Sequence, residues 1–504
     1  MGKIVYIDLT NKRIIEKEKK CTDYGRGLIA KIINENIKSE VDRLSEENVV
    51  VLAPGLFSGT LAPSTGRLLI GTKESKNGGI IISNLAGTIS QKLASINVEA
   101  IVLSGKNTDE IPVAILLDQD NISLEYIEGI NMLEVTPTIE LIKELYGKYC
   151  GIIGIGPAGE NMLPVSSLFS TYPEGKPSFY CARNSIGDVF GFKNIKAIAV
   201  NSKSHFNAPV YDKDKFKLAS KELSRIIIDH PICGKALPGL GSITLLKLMQ
   251  QGKFTEFEDI KAKRNNHFSE QKINRTCSPL CVVGCLNKHA NSGEDCYSAP
   301  TESEAAAALL EAFDIDDKKY VSEFTNKCFE LGIDCMEFIF TCEMYFKMQS
   351  IEGSIDKLDE AIENVRNLTL EGRVLGSKTD GIYNLYRDKN ESKKMVSQPS
   401  VVEEKNFNIH IPSKTVNIPG LSDLEYLYAY VIVLENLGFC LFTSFAFLES
   451  SKALTLLADM YYYKTGNIID EKNLLEYAIK SLNNEKKIPN FIKVLYRYFN
   501  STNY

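Results

Sequence analysis

Three cysteines at even spacing, Cys277-Ser-Pro-Leu-Cys281-Val-Val-Gly-Cys285, are the residues of this chain best suited to chemistry. A fourth candidate, Cys440, lies far downstream in Glu-Asn-Leu-Gly-Phe-Cys-Leu-Phe-Thr-Ser-Phe. Thiolates crowded in this way are usually held by a metal ion or an iron–sulfur cluster, and three local ligands with one distant ligand suit a [4Fe–4S] cubane. Pro279 and Gly284 help the chain turn, which predicts a loop between helical segments with its thiolates facing one point. Zinc is an alternative, with Cys296 or His289 completing a site of three thiolates, and so is a loop without metal. A CxxC pair matched by a second would mark zinc, and no such pair is present.

The chain has 12 cysteines and no recognisable export signal, which predicts a reducing cytoplasm where clustered cysteines are ligands rather than disulfides. Cys21, Cys150 and Cys233 stand alone and read as small buried apolar residues. Cys328, Cys335 and Cys342 recur every seventh residue, and one buried helix face explains the spacing better than metal, although Gly332 interrupts it. Four glycine-rich segments look like ligand loops: Ser64-Thr-Gly-Arg67, Ser83-Asn-Leu-Ala-Gly87, Ile155-Gly-Pro-Ala-Gly-Glu-Asn161 and Ala182-Arg-Asn-Ser-Ile-Gly187. Glycine lets backbone approach a phosphate or metal closely, and Arg67 and Arg183 offer bidentate contacts. Ordinary surface turns with solvated arginines would read the same.

The elements that must carry these groups fall into two regions. At 504 residues, two or three domains are expected. Residues 1–205 are strand-rich: Lys3–Leu9 and Arg13–Lys17 flank a turn as a hairpin, and β-branched runs follow at Val49–Leu52, Leu68–Thr72, Gly79–Ser83, Ala100–Leu103, Val113–Leu117 and Ala197–Val200. Helices near 25–37 and 136–147 make this an α+β domain on sheets. Two mostly helical domains are expected over 206–370, with the three-cysteine loop, and over 371–504, with Cys440. Their helices are Asp212–Asp229, Ser303–Phe313 (N-capped by Thr301 or Ser303), Lys318–Leu331, Met336–Gln349, Ile355–Arg366, Asp423–Leu437, Leu448–Lys464, Glu471–Leu482 and Ile488–Phe499. The polar stretch 389–420 reads as a linker, and no internal repeat stands out. A net charge of −6 with no basic–aromatic block argues against nucleic acid. No apolar run reaches ~18 residues, so no membrane span is expected.

Five ordered segments together resemble one family. They are Leu52-Ala-Pro-Gly-Leu-Phe-Ser-Gly-Thr-Leu-Ala-Pro-Ser-Thr-Gly-Arg67, Ile155–Asn161, Gly191-Phe-Lys-Asn-Ile-Lys-Ala-Ile-Ala-Val200, the three-cysteine loop and Gly438-Phe-Cys-Leu-Phe-Thr-Ser-Phe445. They are similar to the aldehyde:ferredoxin oxidoreductase family, whose members hold tungsten on a pair of pterins. The resemblance implies an N-terminal double-sheet domain covering the pterins, two helical domains, and oxidation of an aldehyde to a carboxylate at tungsten or molybdenum. It implies electrons leaving through the cubane to ferredoxin or a similar carrier, with homo- or hetero-oligomers possible. By position it implies Cys277, Cys281, Cys285 and Cys440 as cluster ligands and Glu302 as a carboxylate near the substrate cavity. Arg67, Asn84 and Arg183 fall around the pterin phosphates and their bridging magnesium, with Gly187 beside them and Glu435 facing a pterin. Glu302 also suits a simple helix N-terminal acid.

This chain departs from the family where the chemistry would be. Three residues, not two, separate Cys277 from Cys281, and no Arg/Gly-rich segment ending in Cys-His precedes Cys440; His410 stands there alone. Two pterin-facing Asp-x-x-Gly-Leu elements read Phe329-Glu-Leu-Gly-Ile333 and Glu435-Asn-Leu-Gly-Phe439. A buried pterin N–H needs an acceptor, at about 1–3 kcal/mol if left unpaired, and Phe329 has none. Ala86 and Ser90 replace favoured glycines. Glu323 matches a Glu that shares an iron with a His across a dimer contact in some relatives; no His partner is found, and no such iron is expected. Three readings follow: a tungsten or molybdenum aldehyde-oxidising enzyme, a non-catalytic relative acting as an electron-transfer or regulatory partner, and a zinc-stabilised structural protein.

Overall fold

The computed structural model describes residues 2–37, 40–74, 79–173, 178–182, 186–242, 244–245, 274–291, 294–298, 300–386, 411–416 and 418–482. The first 200 residues build two six-stranded sheets. The strands are β1 (Lys3–Asp8), β2 (Arg13–Glu18), β3 (Val50–Pro54), β4 (Leu68–Lys73), β5 (Ile80–Leu85), β6 (Val98–Ser104), β7 (Val113–Leu117), β8 (Ile122–Glu125), β9 (Gly151–Ile155), β10 (Leu168–Thr171), β11 (Phe179–Cys181) and β12 (Ile195–Val200). The predicted hairpin forms between β1 and β2, and the Asp8 carboxylate fixes its turn by accepting from the Asn11 backbone N–H and side-chain amide. Strands β3, β7, β9 and β12 are buried along their whole length, which explains why they read as unbroken apolar runs rather than alternating ones.

The two sheets have one topology. Their orders are β2-β1-β6-β3-β4-β5 and β11-β10-β9-β12-β7-β8. Each runs hairpin, helix, three antiparallel strands, short helix and a returning strand parallel to the first, with β6 on β1 and β12 on β7. The duplication corrects the expectation of no repeat. Topology depends on burial pattern and backbone pairing, so it survives after the residues themselves have diverged.

Each half-domain receives a helix end from the downstream chain. The helix Asp423–Leu437, opened by a Ser422/Glu425 capping box, closes on left-handed Gly438. The helix Lys318–Leu331, capped by Asp317, closes on left-handed Gly332. Gly438 C=O accepts from the Arg67 N–H at 3.2 Å and Gly332 C=O from the Ser167 N–H at 2.7 Å, equivalent contacts in the two halves. Backbone meets backbone there: a Cβ on Gly55 would lie 2.1 Å from Gly438 Cα, and one on Gly156 would lie 2.6 Å from the Leu331 carbonyl. The glycines of Ile155–Asn161 thus serve close packing, and Glu160 of that segment pairs with the buried Lys196 ammonium.

Two large cores result. One joins the inner faces of both sheets to the helices from Pro300 to Leu375, and the other joins Lys213–Asp229 to the helices from Asp423 to Leu482. Helix bounds match expectation at Lys318–Leu331, Ile355–Arg366, Asp423–Leu437 and Glu471–Leu482. Four readings are corrected. The helix expected over Leu448–Lys464 is two, Ser444–Glu449 and Ala453–Thr465, because the chain turns extended at Ser450. The helix Pro300–Phe313 starts on its proline, a residue suited to the first turn, so Thr301 and Ser303 lie inside it. Cys328 and Cys335 belong to different helices across Gly332, so no single face carries the seventh-residue stripe, although all three of its thiols are buried. The three-cysteine loop lies between strands β13 (Asn274–Arg275) and β14 (Leu286–Asn291), with β15 (Glu294–Ser298) completing a small sheet. Cys150 and Cys233 are buried and Cys21 is half-buried. Residues 389–410 and Ile488–Phe499 lie outside the described residues. No single helix among the described residues is long and apolar enough to cross a membrane.

Gly55→Ala should cost at least about 2 kcal/mol, since the added methyl cannot fit against Gly438 without moving backbone. Urea unfolding measures it, and an unchanged midpoint would show that the two segments do not meet.

Candidate metal centre

The loop Cys277–Cys285 lies against the loop before β4. A Cβ on Gly66 would lie 2.4 Å from Ser278 Cβ, so only glycine admits the thiol loop there. Ser64 holds it in register: its N–H donates to Leu280 C=O at 2.9 Å, and its Oγ accepts from the Val282 N–H at 3.1 Å. The same residue's carbonyl accepts from the Cys440 N–H at 2.9 Å. One short loop thus gathers the three local thiols and the remote one.

The guanidinium of Arg67 enters this group and donates from Nη2 to Cys440 Sγ at 2.9 Å. Burial works against its charge, but Cys440 and then Cys277 outweigh that and hold it well above its ordinary pKa. Cys277 is pushed well up, first by its hydrogen bond to Cys281 and then by burial. Cys281 is brought down to about 6, chiefly by that same hydrogen bond, with the Gly284 and Val283 amides assisting. Burial, and then proximity to Cys281 and Cys440, pushes Cys285 up. Cys277, Cys285 and Cys440 are buried and Cys281 is half-buried. Among the described residues, no three His, Cys, Asp or Glu side chains group tightly enough to hold a metal ion.

Buried polar groups in the two half-domains lack partners, and one of them, Tyr172, neighbours the thiols. Tyr172 stacks on Tyr180 with ring centroids 5.3 Å apart, and its buried hydroxyl has no hydrogen bond. The Tyr180 hydroxyl accepts from the Ala86 N–H, but Ser170 Oγ and Asn84 Oδ1 are also buried and unsatisfied. Buried polar atoms are rarely left this way unless water, an ion or a ligand completes them. Sequence reasoning does not single out Tyr172 and reads Ser64 only as the start of the Ser64–Arg67 ligand loop, because the Ser64 contacts with Leu280, Val282 and Cys440 join segments more than two hundred residues apart.

Two expected cofactor residues meet elsewhere in the site. Asn84 Nδ2 donates to Glu435 Oε1 at 2.9 Å, and the other carboxylate oxygen is paired with the Arg26 guanidinium. Both ends of that ion pair are almost fully buried. No sequence signal joined Arg26 to Glu435. In the second half-domain the position equivalent to Glu435 is Phe329, buried and packed against Phe179 at 6.5 Å between ring centroids. Ser90 donates to Arg67 C=O at 2.7 Å. Gly187 starts the helix Gly187–Phe192, and a Cβ there would lie 2.8 Å from Ser166 Oγ. Arg183 and His410 lie outside the described residues. Glu302 is on the helix Pro300–Phe313, and His289 and Cys296 are register partners on β14 and β15; their side chains lie outside the described set. In metal-free protein, iodoacetamide should alkylate Cys281 first, its rate rising through about pH 6, with Cys277 and Cys285 slow until far more alkaline pH. Mass-spectrometric mapping measures this, and equal rates at the three would rule out the shared proton.

The profile of the aldehyde ferredoxin oxidoreductase N-terminal domain matches residues 4–202. Tungsten-containing aldehyde ferredoxin oxidoreductase of Pyrococcus furiosus is 30% identical over 325 residues, 62% of this chain and 51% of that protein. The Thermococcus kodakarensis protein of the same name is 28% identical over 323 residues, again 62% and 51%. The chain spans about half the length of the curated relatives it matches. Among solved structures, the active site complex BamBC of benzoyl coenzyme A reductase with 1,5-dienoyl-CoA shares the fold at a TM-score of 0.72 and 16% identity, covering 99% of this chain and 93% of that one. Residues 4–202 thus match the N-terminal domain of the aldehyde ferredoxin oxidoreductases, and the chain as a whole is similar to that family's tungsten-containing members in sequence, with a double-sheet-then-helices fold.

Proposed function

We propose that this chain is an iron–sulfur oxidoreductase in which Cys277, Cys281, Cys285 and Cys440 hold a [4Fe–4S] cluster. In this reading it passes electrons to ferredoxin or a similar carrier and serves the oxidation of an aldehyde to a carboxylate at a tungsten or molybdenum pterin. The observation that carries it is the convergence of four cysteines and the Arg67 guanidinium beside the unsatisfied buried Tyr172 hydroxyl. The donor set fits the group: four sulfurs, a cation to offset the excess negative charge, and the unpaired Tyr172 hydroxyl to donate towards sulfur. A bound cluster supplies one-electron transfer, and hydrogen bonds to its sulfurs tune its potential. Arg67 holds Cys440 in place, while the buried surroundings keep water away.

A second reading, an electron-transfer or regulatory partner without pterin, is favoured by the two pterin-facing positions. Glu435 already accepts from Arg26 and Asn84, and Phe329 is part of an apolar contact. Phe329 offers no acceptor to a buried pterin ring and Glu435 is already held by two donors, so no step is assigned to Glu302, Arg183, Gly187 or a bridging magnesium.

Purification without oxygen, followed by assay of Fe, sulfide, W, Mo and Zn, separates the readings. Iron and sulfide with tungsten or molybdenum would support the enzyme; iron and sulfide alone would support the partner. Zinc alone would overturn both. Cys440→Ser should bleach the visible cluster band, and an unchanged spectrum would remove Cys440 from the ligand set. Tyr172→Phe should lower the midpoint potential by up to about 59 mV, a tenfold change in a one-electron equilibrium.

A further inference from the structure

We infer that Ser64 is the positioning residue that sets Cys440 and the Cys277–Cys285 loop in one register for the cluster, an inference that rests on the cluster reading above. Its backbone N–H and hydroxyl are both spent on the thiol loop, at Leu280 and Val282, and its carbonyl receives the Cys440 N–H. Ser64 does this with φ at +56°, a left-handed conformation that favours glycine over serine. A side chain kept at such a position, almost fully buried, points to a use for its hydroxyl.

The duplicated half-domain supplies an internal control. There the Asp334 N–H donates to Val165 C=O at 3.0 Å, a similar bond to that of Cys440 with Ser64 but made one residue closer to the following strand. Asp334 follows Gly332 by two residues, as Cys440 follows Gly438, yet its side chain caps the helix Cys335–Gln349. The backbone bond therefore belongs to the fold, since both halves have it. The hydroxyl contact to a thiol loop belongs only to the half with the cysteines. Ser64 acts through the ligands and touches no reacting atom.

Ser64→Gly separates the two roles, because glycine accepts the left-handed backbone and removes only the hydroxyl side chain. The full-length protein is purified anaerobically, and iron release to excess bathophenanthroline is followed for wild type, Ser64→Gly and Ser64→Ala, with thermal unfolding measured in parallel. Release is expected about tenfold faster in Ser64→Gly, the weight of one hydrogen bond, with its unfolding temperature unchanged or raised. Ser64→Ala gives the same acceleration and serves if the glycine variant does not accumulate. Wild-type release rates in both variants would overturn the positioning role and leave the cluster reading standing. Wild type without iron and sulfide would overturn both.

Discussion

The contact between the Arg67 guanidinium and Cys440 sulfur is the interaction on which the site depends. A guanidinium stays charged at any pH at which the protein is folded, so drawing it inward demands negative charge nearby. That charge comes from the thiols, Cys440 first and Cys277 second. Burial acts against the same charge on Cys277 and Cys285. Four thiols and one cation thus share a confined space, and a bound iron–sulfur cluster, which requires thiolates, would set negative charge beside Arg67. Cys281 is half-buried and lowered towards the thiolate by its hydrogen bond with Cys277.

This arrangement depends on a backbone junction that the sheets alone do not provide. The loop before β4, the thiol loop and the end of the helix Asp423–Leu437 meet through Gly55, Ser64, Gly66 and Gly438, where added side chains would collide or contacts would be lost. The second half-domain repeats the junction with Gly156, Ser167 and Gly332 but carries Asp334 and Phe329 where the first has Cys440 and Glu435. The two halves thus share one geometry: the first brings cysteines together at it, and the second uses it as a packing contact.

Much of the fold was legible because its signals are local. Asp317 with Gly332, and Ser422 and Glu425 with Gly438, mark helix ends by capping, and the apolar runs of β7 and β12 mark buried strands. The small sheet around the thiol loop was missed because Leu286–Asn291 and Glu294–Ser298 are polar and show no alternation. The cysteines were legible by spacing. Their neighbours were not: Arg26 lies 409 residues from Glu435, and Tyr172 is polar only at its tip. Glu435 was read as an acceptor awaiting a pterin, whereas the folded chain supplies its donors from Arg26 and Asn84.

The most direct test of the account is an anomalous difference map at the iron edge from crystals grown without oxygen. The account predicts one strong iron peak enclosed by Cys277, Cys281, Cys285 and Cys440, with Arg67 against the Cys440 corner. A zinc-edge signal at the thiol loop, or an iron site that excludes Cys440 in favour of Cys296 or His289, would contradict it.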